Sequence, residues 1–230
     1  MWIIIGILLL LVIVVLFKEA QNKKLLETVT NKSRGTRTER KLVLKLLKYG
    51  IPAQTIFHDL YVKMPTGRYS QIDLVVPTKV GIFVFEVKKY SGWIFGSGYN
   101  SQWTQVLAYG NSKYRFYNPV MQNSKHISDL KSQLKQFDRI PFYSIIVFYG
   151  DCELKDISNV SSETYIIKSN SVEETMNILM NTREPVTYAN KYEIVNLLKE
   201  SVANGEDNEV RIRHVQHIRE MLSKNRQSQG

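Results

Sequence analysis

Asp73 and, thirteen residues later, Glu86-Val87-Lys88 put two carboxylates and an amine into the otherwise apolar stretch from Ser70 to Lys89. Charged side chains are costly in strands this apolar, so three together need a chemical reason. Two acids and a lysine on one sheet face are what metal-dependent phosphodiester cleavage requires. A hard cation such as Mg²⁺ or Mn²⁺ takes oxygen ligands, commonly one or two carboxylates plus water and substrate phosphate. A lysine beside it orients or deprotonates a water, or neutralises charge on the phosphate. The same residues also suit a plain salt bridge of Lys88 with Glu86 or Asp73 at a wet sheet edge.

The elements that must position them read as a hairpin. Residues 70–76 and 81–89 are rich in β-branched and aromatic residues around a short Pro-Thr-Lys-Val-Gly connection. An antiparallel pairing symmetric about Lys79 and Val80 sets Ile72 opposite Val87, Leu74 opposite Phe85 and Val76 opposite Phe83. That face is wholly apolar. The alternate positions pair Asp73 with Glu86, Gln71 with Lys88 and Val75 with Val84. A one-residue slip mixes apolar and polar positions, which favours this register. Lys-Val is poor chemistry for a two-residue turn, leaving room for a longer or bulged connection.

Further segments follow in order: Thr38-Glu39, Gln71-Ile72-Asp73, Gly81 through Lys88, Ser91-Gly92, Trp103 and Asn118-Pro119-Val120-Met121-Gln122. With these the chain resembles the nuclease-related domain family, itself similar to the restriction-endonuclease-like PD-(D/E)xK fold, over roughly residues 33–150. The resemblance implies that Asp73 and Glu86 bind metal and that Lys88 assists the nucleophile. It places Glu39 and Gln122 on flanking helices beside the site. It does not imply that the domain cleaves anything.

The 230 residues, 43% hydrophobic, suffice for one sizeable core and a small appendage. A net charge of +10 suits a polyanionic partner, nucleic acid or an anionic membrane surface, and equally a solvated basic surface. A single Cys152 excludes an intrachain disulfide framework. No C-x-x-C or H-E-x-x-H spacing points to zinc.

From Trp2 to Phe17 the chain is unbroken apolar, about 24 Å as a helix. Met1 and a snorkelling Lys18 extend it toward bilayer thickness. No basic segment precedes it and no small-residue cleavage site follows, which argues against a signal peptide. Lys18, Lys23, Lys24, Lys32 and Arg34 all follow the run, so the positive-inside rule puts residues 18–230 in the cytoplasm and the N-terminus outside.

Downstream, Leu42, Val43, Leu46 and Leu47 mark an amphipathic helix from about Ser33 to Tyr49, with Glu39 on its inward face. Short strands are expected near Ser91–Gly96 and Ser101–Leu107. The basic, aromatic stretch Lys113–Tyr117 suits an edge strand or a nucleic-acid groove. Candidate nucleic-acid contacts are Lys89, Trp93, Lys113, Arg115 and His126. Asn118-Pro119 starts a helix whose stripe is Ile127, Leu130, Leu134 and Phe137. Gln122 and His126 lie one turn apart on another face, and His126 reads as an exposed helical histidine rather than a general base. Phe142–Tyr149 reads as a strand buried on both faces, and Thr164–Lys168 as another strand. Helices follow at about 171–182, with a Ser171/Glu174 capping box, and at 187–203. The tail carries Val210, Ile212, Val215, Ile218 and Leu222 among Arg and His.

The expected architecture is mixed α/β, a restriction-endonuclease-like central mixed sheet flanked by helices. It divides into an anchor (1–17), a juxtamembrane linker (18–32), the nuclease-like domain (33–150), a strand and helices packing on it (151–204) and a basic helical tail (205–230). The expected function is Mg²⁺- or Mn²⁺-dependent hydrolysis of phosphodiester bonds, in DNA rather than RNA, with Asp73 and Glu86 as ligands and Lys88, Glu39 and Gln122 in the site. The alternatives are a non-catalytic module tethering nucleic acid or a protein to the membrane, and a secreted nuclease lacking residues 1–17.

Overall fold

A computed structural model of the protein describes residues 2–107 and 110–227. The expected hairpin is β2 (Tyr69–Thr78) with β3 (Gly81–Lys89), antiparallel, Thr78 opposite Gly81 and Leu74 opposite Phe85. The register is the predicted one. The turn is only Lys79-Val80, tighter than those residues favour alone, because tertiary bonds hold it. The Val186 N–H donates to the Lys79 carbonyl, and the Tyr188 hydroxyl donates to the Thr78 carbonyl. Gly81 sits at φ 139 with the Pro141 carbonyl 2.5 Å from where a Cβ would stand, so only glycine fits there.

β3 is the middle strand of a five-stranded mixed sheet in the order β1-β2-β3-β7-β9, where β1 is Phe57–Lys63, β7 Phe142–Tyr149 and β9 Thr164–Lys168. β1, β2 and β3 pair antiparallel, while β3, β7 and β9 run parallel. β7 is buried along nearly its whole length. Strands buried on both faces need a layer on each. One face is covered by α2 (Arg37–Tyr49), through Leu42, Val43 and Leu46, and by α4 (Val172–Thr182), through Val172, Met176 and Leu179. The other is covered by α3 (Pro119–Lys131), through Leu130, and by α5 (Lys191–Asn204), through Ile194 and Leu198. Thr36 caps α2 by accepting from the Glu39 N–H, and Gly50 ends it at φ 99.

A second, four-stranded sheet, β6-β5-β4-β8, consists of β4 (Gly92–Ser97), β5 (Gln102–Leu107), β6 (Ser112–Tyr117) and β8 (Cys152–Ser158). Lys113–Tyr117 is indeed an edge strand. β1 and β8 escape the sequence pattern, the first because His58 and Asp59 interrupt its apolar run, the second because it alternates on one face only.

Several expectations are corrected. α1 runs from Trp2 to Glu27, so the juxtamembrane segment is helical for about two thirds of its length, and Leu26 and Val29 pack against the core beside α2. From Trp2 to Phe17 every large apolar side chain is at least 41% exposed, so this helix is not a core helix of the domain. It is long and apolar enough to cross a membrane. α3 stops at Lys131, and Phe137 reaches the core from a separate 3₁₀ turn, Lys135–Arg139. Ser171 makes no side-chain cap, because a 3₁₀ turn over Ser169–Ser171 already leads into α4. In α6 (Asn208–Gln227) only Val210 of the apolar stripe is buried, while Ile212, Val215 and Ile218 are exposed; the Leu222 side chain lies outside the described residues.

Candidate active site

The β2–β3 ladder stops at Leu74–Phe85, one step before the pair that matters. There the Asp73 side chain replaces main chain: its Oδ2 accepts from the Val87 N–H at 2.7 Å. On the other side of β2, Asp59 of β1 adopts φ 54. Together these break the strict alternation of β2. Ile72 joins the cluster under α3 and α5, whereas Leu74 faces α2. The expected single apolar face of Ile72, Leu74 and Val76 is therefore corrected. Gln71 is not beside Lys88 either; its amide donates to Asp59 Oδ1 at 3.0 Å.

The splay lets groups from both layers converge. Glu86 lies on the α3 face, 2% exposed, with Oε1 2.6 Å from Lys88 Nζ. Lys88 donates onward to Gln122 Oε1 at 2.9 Å. His126, one turn further along α3, holds Nε2 3.5 Å from Glu86 Oε2 and Nδ1 3.2 Å from Ser70 Oγ. It is buried, which corrects its reading as an exposed helical residue. α3 is held at this height by Asn123, whose amide donates to the Val84 carbonyl and to Ser144 Oγ, each at 2.9 Å.

Glu39 enters from the opposite layer. Its Oε1 accepts from the Thr36 hydroxyl at 2.6 Å, and its Oε2 lies 3.5 Å from His58 Nε2. His58 Nδ1 in turn meets the Thr30 hydroxyl at 2.8 Å. Burial pushes the Glu39 carboxyl up, but the His58 and Thr36 contacts outweigh it and leave the pKa below its ordinary value. The structure thus brings Asp73, Glu86, Lys88, Glu39 and Gln122 within electrostatic reach at one end of the central hairpin. His58, Ser70 and Thr30 were missed. His58 and Asp59 were discoverable by the rule that flagged Asp73, since both are charged or titratable residues inside an apolar run.

Of the expected nucleic-acid contacts, His126 lies within this site. Lys89 is exposed at the end of β3, on the opposite side of the strand from Lys88 by alternation. Trp93, Lys113 and Arg115 lie on the second sheet.

Desolvation and then the Glu86 charge drive the Asp73 carboxyl well above the ordinary 3.8. For Lys88, burial pulls its pKa down, yet the Glu86 charge and hydrogen bond and the Asp73 charge more than offset this and hold it above 10.5. Lys88 is therefore an ammonium here, suited to screening charge rather than to accepting a proton. Among the described residues no group of three or more His, Cys, Asp or Glu side chains is arranged to hold a metal. The pair Asp73 and Glu86 nonetheless fits a hard cation with further water ligands. Glu86 Oε2 is buried with no hydrogen-bond partner, and Asp73 carries repulsion that a cation would relieve.

This makes a stability prediction. An acid whose folded pKa is raised contributes stability that is fully present below its unfolded value and lost as pH rises through the folded one. The Asp73 contribution in metal-free protein should therefore be lost as pH rises from about 4, opposite in sign to that of Glu39, whose pKa is lowered. Asp73→Asn keeps an acceptor for the Val87 N–H but removes the charge. It should raise the metal-free melting temperature above that pH by about 2–4 °C, on the order of 1 kcal/mol, and abolish any further rise on adding Mg²⁺ or Mn²⁺. A melting series in pH and metal checks this; an unchanged or lowered metal-free value for the variant contradicts it.

An uncharacterized protein of Bacillus anthracis is 33% identical over 135 residues, covering 58% of this chain and 62% of that protein. The chain thus spans less than two thirds of that relative. No solved structure matches. The family described as Nuclease-related domain, NERD, matches residues 34–149, about half the chain and the whole stretch from Arg34 to the end of β7. The chain belongs to the nuclease-related domain family.

Proposed function

We propose that the protein is a membrane-anchored, metal-dependent nuclease that hydrolyses phosphodiester bonds in DNA. The observation that carries this reading is the meeting of Asp73, Glu86 and Lys88 at the splayed end of β2 and β3, with the second Glu86 oxygen buried without a hydrogen bond, 3.5 Å from His126 Nε2. Mg²⁺ or Mn²⁺ held by Asp73 and Glu86 would supply Lewis-acid polarisation of a phosphoryl oxygen. Lys88 supplies a fixed positive charge for the developing anionic oxygens. Gln122 orients the Lys88 ammonium through its amide oxygen. Glu39, kept ionised by His58 and Thr36, supplies a second anionic group from the opposite layer.

One observation favours the rival, a non-catalytic binding module: Lys88 already holds both Glu86 and Gln122 at hydrogen-bond distance, as a purely structural salt bridge would. The full chain in phosphatidylcholine nanodiscs, given labelled single- and double-stranded DNA and RNA, separates the two. Cleavage with Mg²⁺ or Mn²⁺ and none with EDTA is expected. Binding without cleavage under every metal would establish the tether instead.

The anchor and its orientation belong to the same proposal. α1 crosses the membrane with its basic C-terminal side and the domain in the cytoplasm. A topology reporter fused after residue 230 should be active only in the cytoplasm; activity outside the cell reverses this.

A further inference from the structure

The second sheet is spliced between the two elements that carry the site. β3, with Glu86 and Lys88, leads directly into β4, and β6 leads through Asn118 into α3, with Gln122 and His126. Its inner face is sealed. Ile94, Trp103 and Cys152 are buried against Ile146 and Phe148 of β7, and Trp103 stacks parallel to Phe148 at 6.2 Å.

The alternate residues point away from the domain and form two registered rows. Trp93 lies opposite Val106, which lies opposite Lys113; Phe95 lies opposite Thr104, which lies opposite Arg115. Each row runs from an aromatic ring, across a small residue, to a cation on the edge strand. The rows are about 7 Å apart along the strands, and ring and cation about 10 Å apart across them. These six side chains line an open depression of about 700 Å³. That is within the roughly 300–1,000 Å³ typical of ligand sites. Trp93 and Phe95 are half-buried, while Lys113 and Arg115 are exposed.

A floor of aromatic faces bordered by cations is the surface that unstacked bases and a phosphate backbone require. A duplex hides its base faces in its own stack and cannot use the rings in this way. The opposite border, β8, carries Glu153 and Asp156 in register with Trp93 and Phe95, and between them Lys155, whose Nζ is 2.6 Å from Glu153 and 5.5 Å from the centre of the Trp93 ring, where a stacking base would displace it. On β6, Lys113 and Arg115 face Val106 and Thr104 with no carboxylate in register, so an anionic backbone is drawn to the β6 side. We infer that this face binds single-stranded nucleic acid, bases on Trp93 and Phe95 and phosphates along Lys113 and Arg115. The inference deepens the nuclease reading and rests on it for its purpose. Trp93 is five residues beyond Lys88, so their Cα atoms lie no more than about 18 Å apart.

The test is fluorescence anisotropy on the full chain in phosphatidylcholine nanodiscs, with EDTA present to prevent turnover. The probes are a labelled thymidylate oligomer, a uridylate oligomer and a duplex of equal length. Single strands should bind more tightly than the duplex, and the two oligomers separate DNA from RNA as the preferred strand. Trp93→Ala should weaken single-strand binding on the order of 10- to 100-fold, and Trp93→Phe should retain most of it. Lys113→Ala with Arg115→Ala, both at exposed positions, should flatten the slope of log affinity against log salt by about 1.4. Unchanged affinity in both variants, or a preference for duplex, overturns the inference. Loss of binding in these variants with no cleavage under any metal retires the nuclease and leaves the platform. Intact binding alongside metal-dependent cleavage does the reverse.

Discussion

Lys88→Met should lower metal-dependent cleavage by about 10²- to 10³-fold, the usual cost of removing one preorganised charged donor from a transition state. The side chain keeps its length and its packing against α3, but Glu86 Oε1 and Gln122 Oε1 lose their shared donor. Because Lys88 is held in place by Glu86 and Gln122, the loss of its charge should appear in kcat. Lys88→Arg keeps the charge on a longer, planar head that does not reproduce the geometry. It should restore stability more fully than rate. Rates measured at saturating substrate for the three proteins decide the matter. A Lys88→Met enzyme within about threefold of the parent would remove Lys88 from the chemistry.

Arg34→Met should cost about 3–5 kcal/mol, which for a chain of this size is roughly 6–20 °C in melting temperature. Arg34 is 4% exposed, with Nε 3.0 Å from Asp59 Oδ2. Its Nη2 donates to the Asp59 carbonyl at 2.6 Å and to the Val202 carbonyl at 3.0 Å. One side chain therefore joins the segment after α1, the bend in β1 and the end of α5. Removing it strands the Asp59 carboxylate in the interior, with only the Gly35 N–H and the Gln71 amide as donors. The double variant Arg34→Met/Asp59→Asn removes both charges. Asparagine tolerates the φ of 54 at residue 59, so the double variant should recover much of the loss. Thermal melts of the single and double variants measure this coupling. No recovery would mean that the carbonyl contacts, not the stranded charge, carry the stabilisation.

Asp59 matters beyond stability, since its bend lies across β2 from Asp73 and the two irregularities together turn Asp73 toward the Val87 N–H. The segment after α1 and the candidate site are in this way set by the same buried ion pair.

The amino-acid sequence was sufficient for everything governed by local periodicity. The register of β2 and β3 follows from two alternating runs and a short connection, since any slip places charges against the core. α2 follows from apolar spacing, although its Thr36 cap and its start at Arg37 rather than near Ser33 emerge only in the structure; the start of α3 follows from Asn118 as cap, and α1 from sixteen apolar residues in a row. Asp73, Glu86 and Lys88 stood out because charge is expensive in apolar strands, and Glu39 and Gln122 came with the family resemblance. Tertiary structure alone decided the rest. The two-residue turn at Lys79-Val80 is paid for by Val186 and Tyr188, more than a hundred residues away in the chain. His126 is drawn inside because α3 is pinned to β3 and β7 by Asn123, a contact that no helical pattern encodes. Ile72 changes face because a side chain, Asp73, replaces a backbone partner and bends the strand. Periodicity reports which side of an isolated element is apolar; where one element's polar groups are satisfied by another's, only the assembled fold supplies the partner.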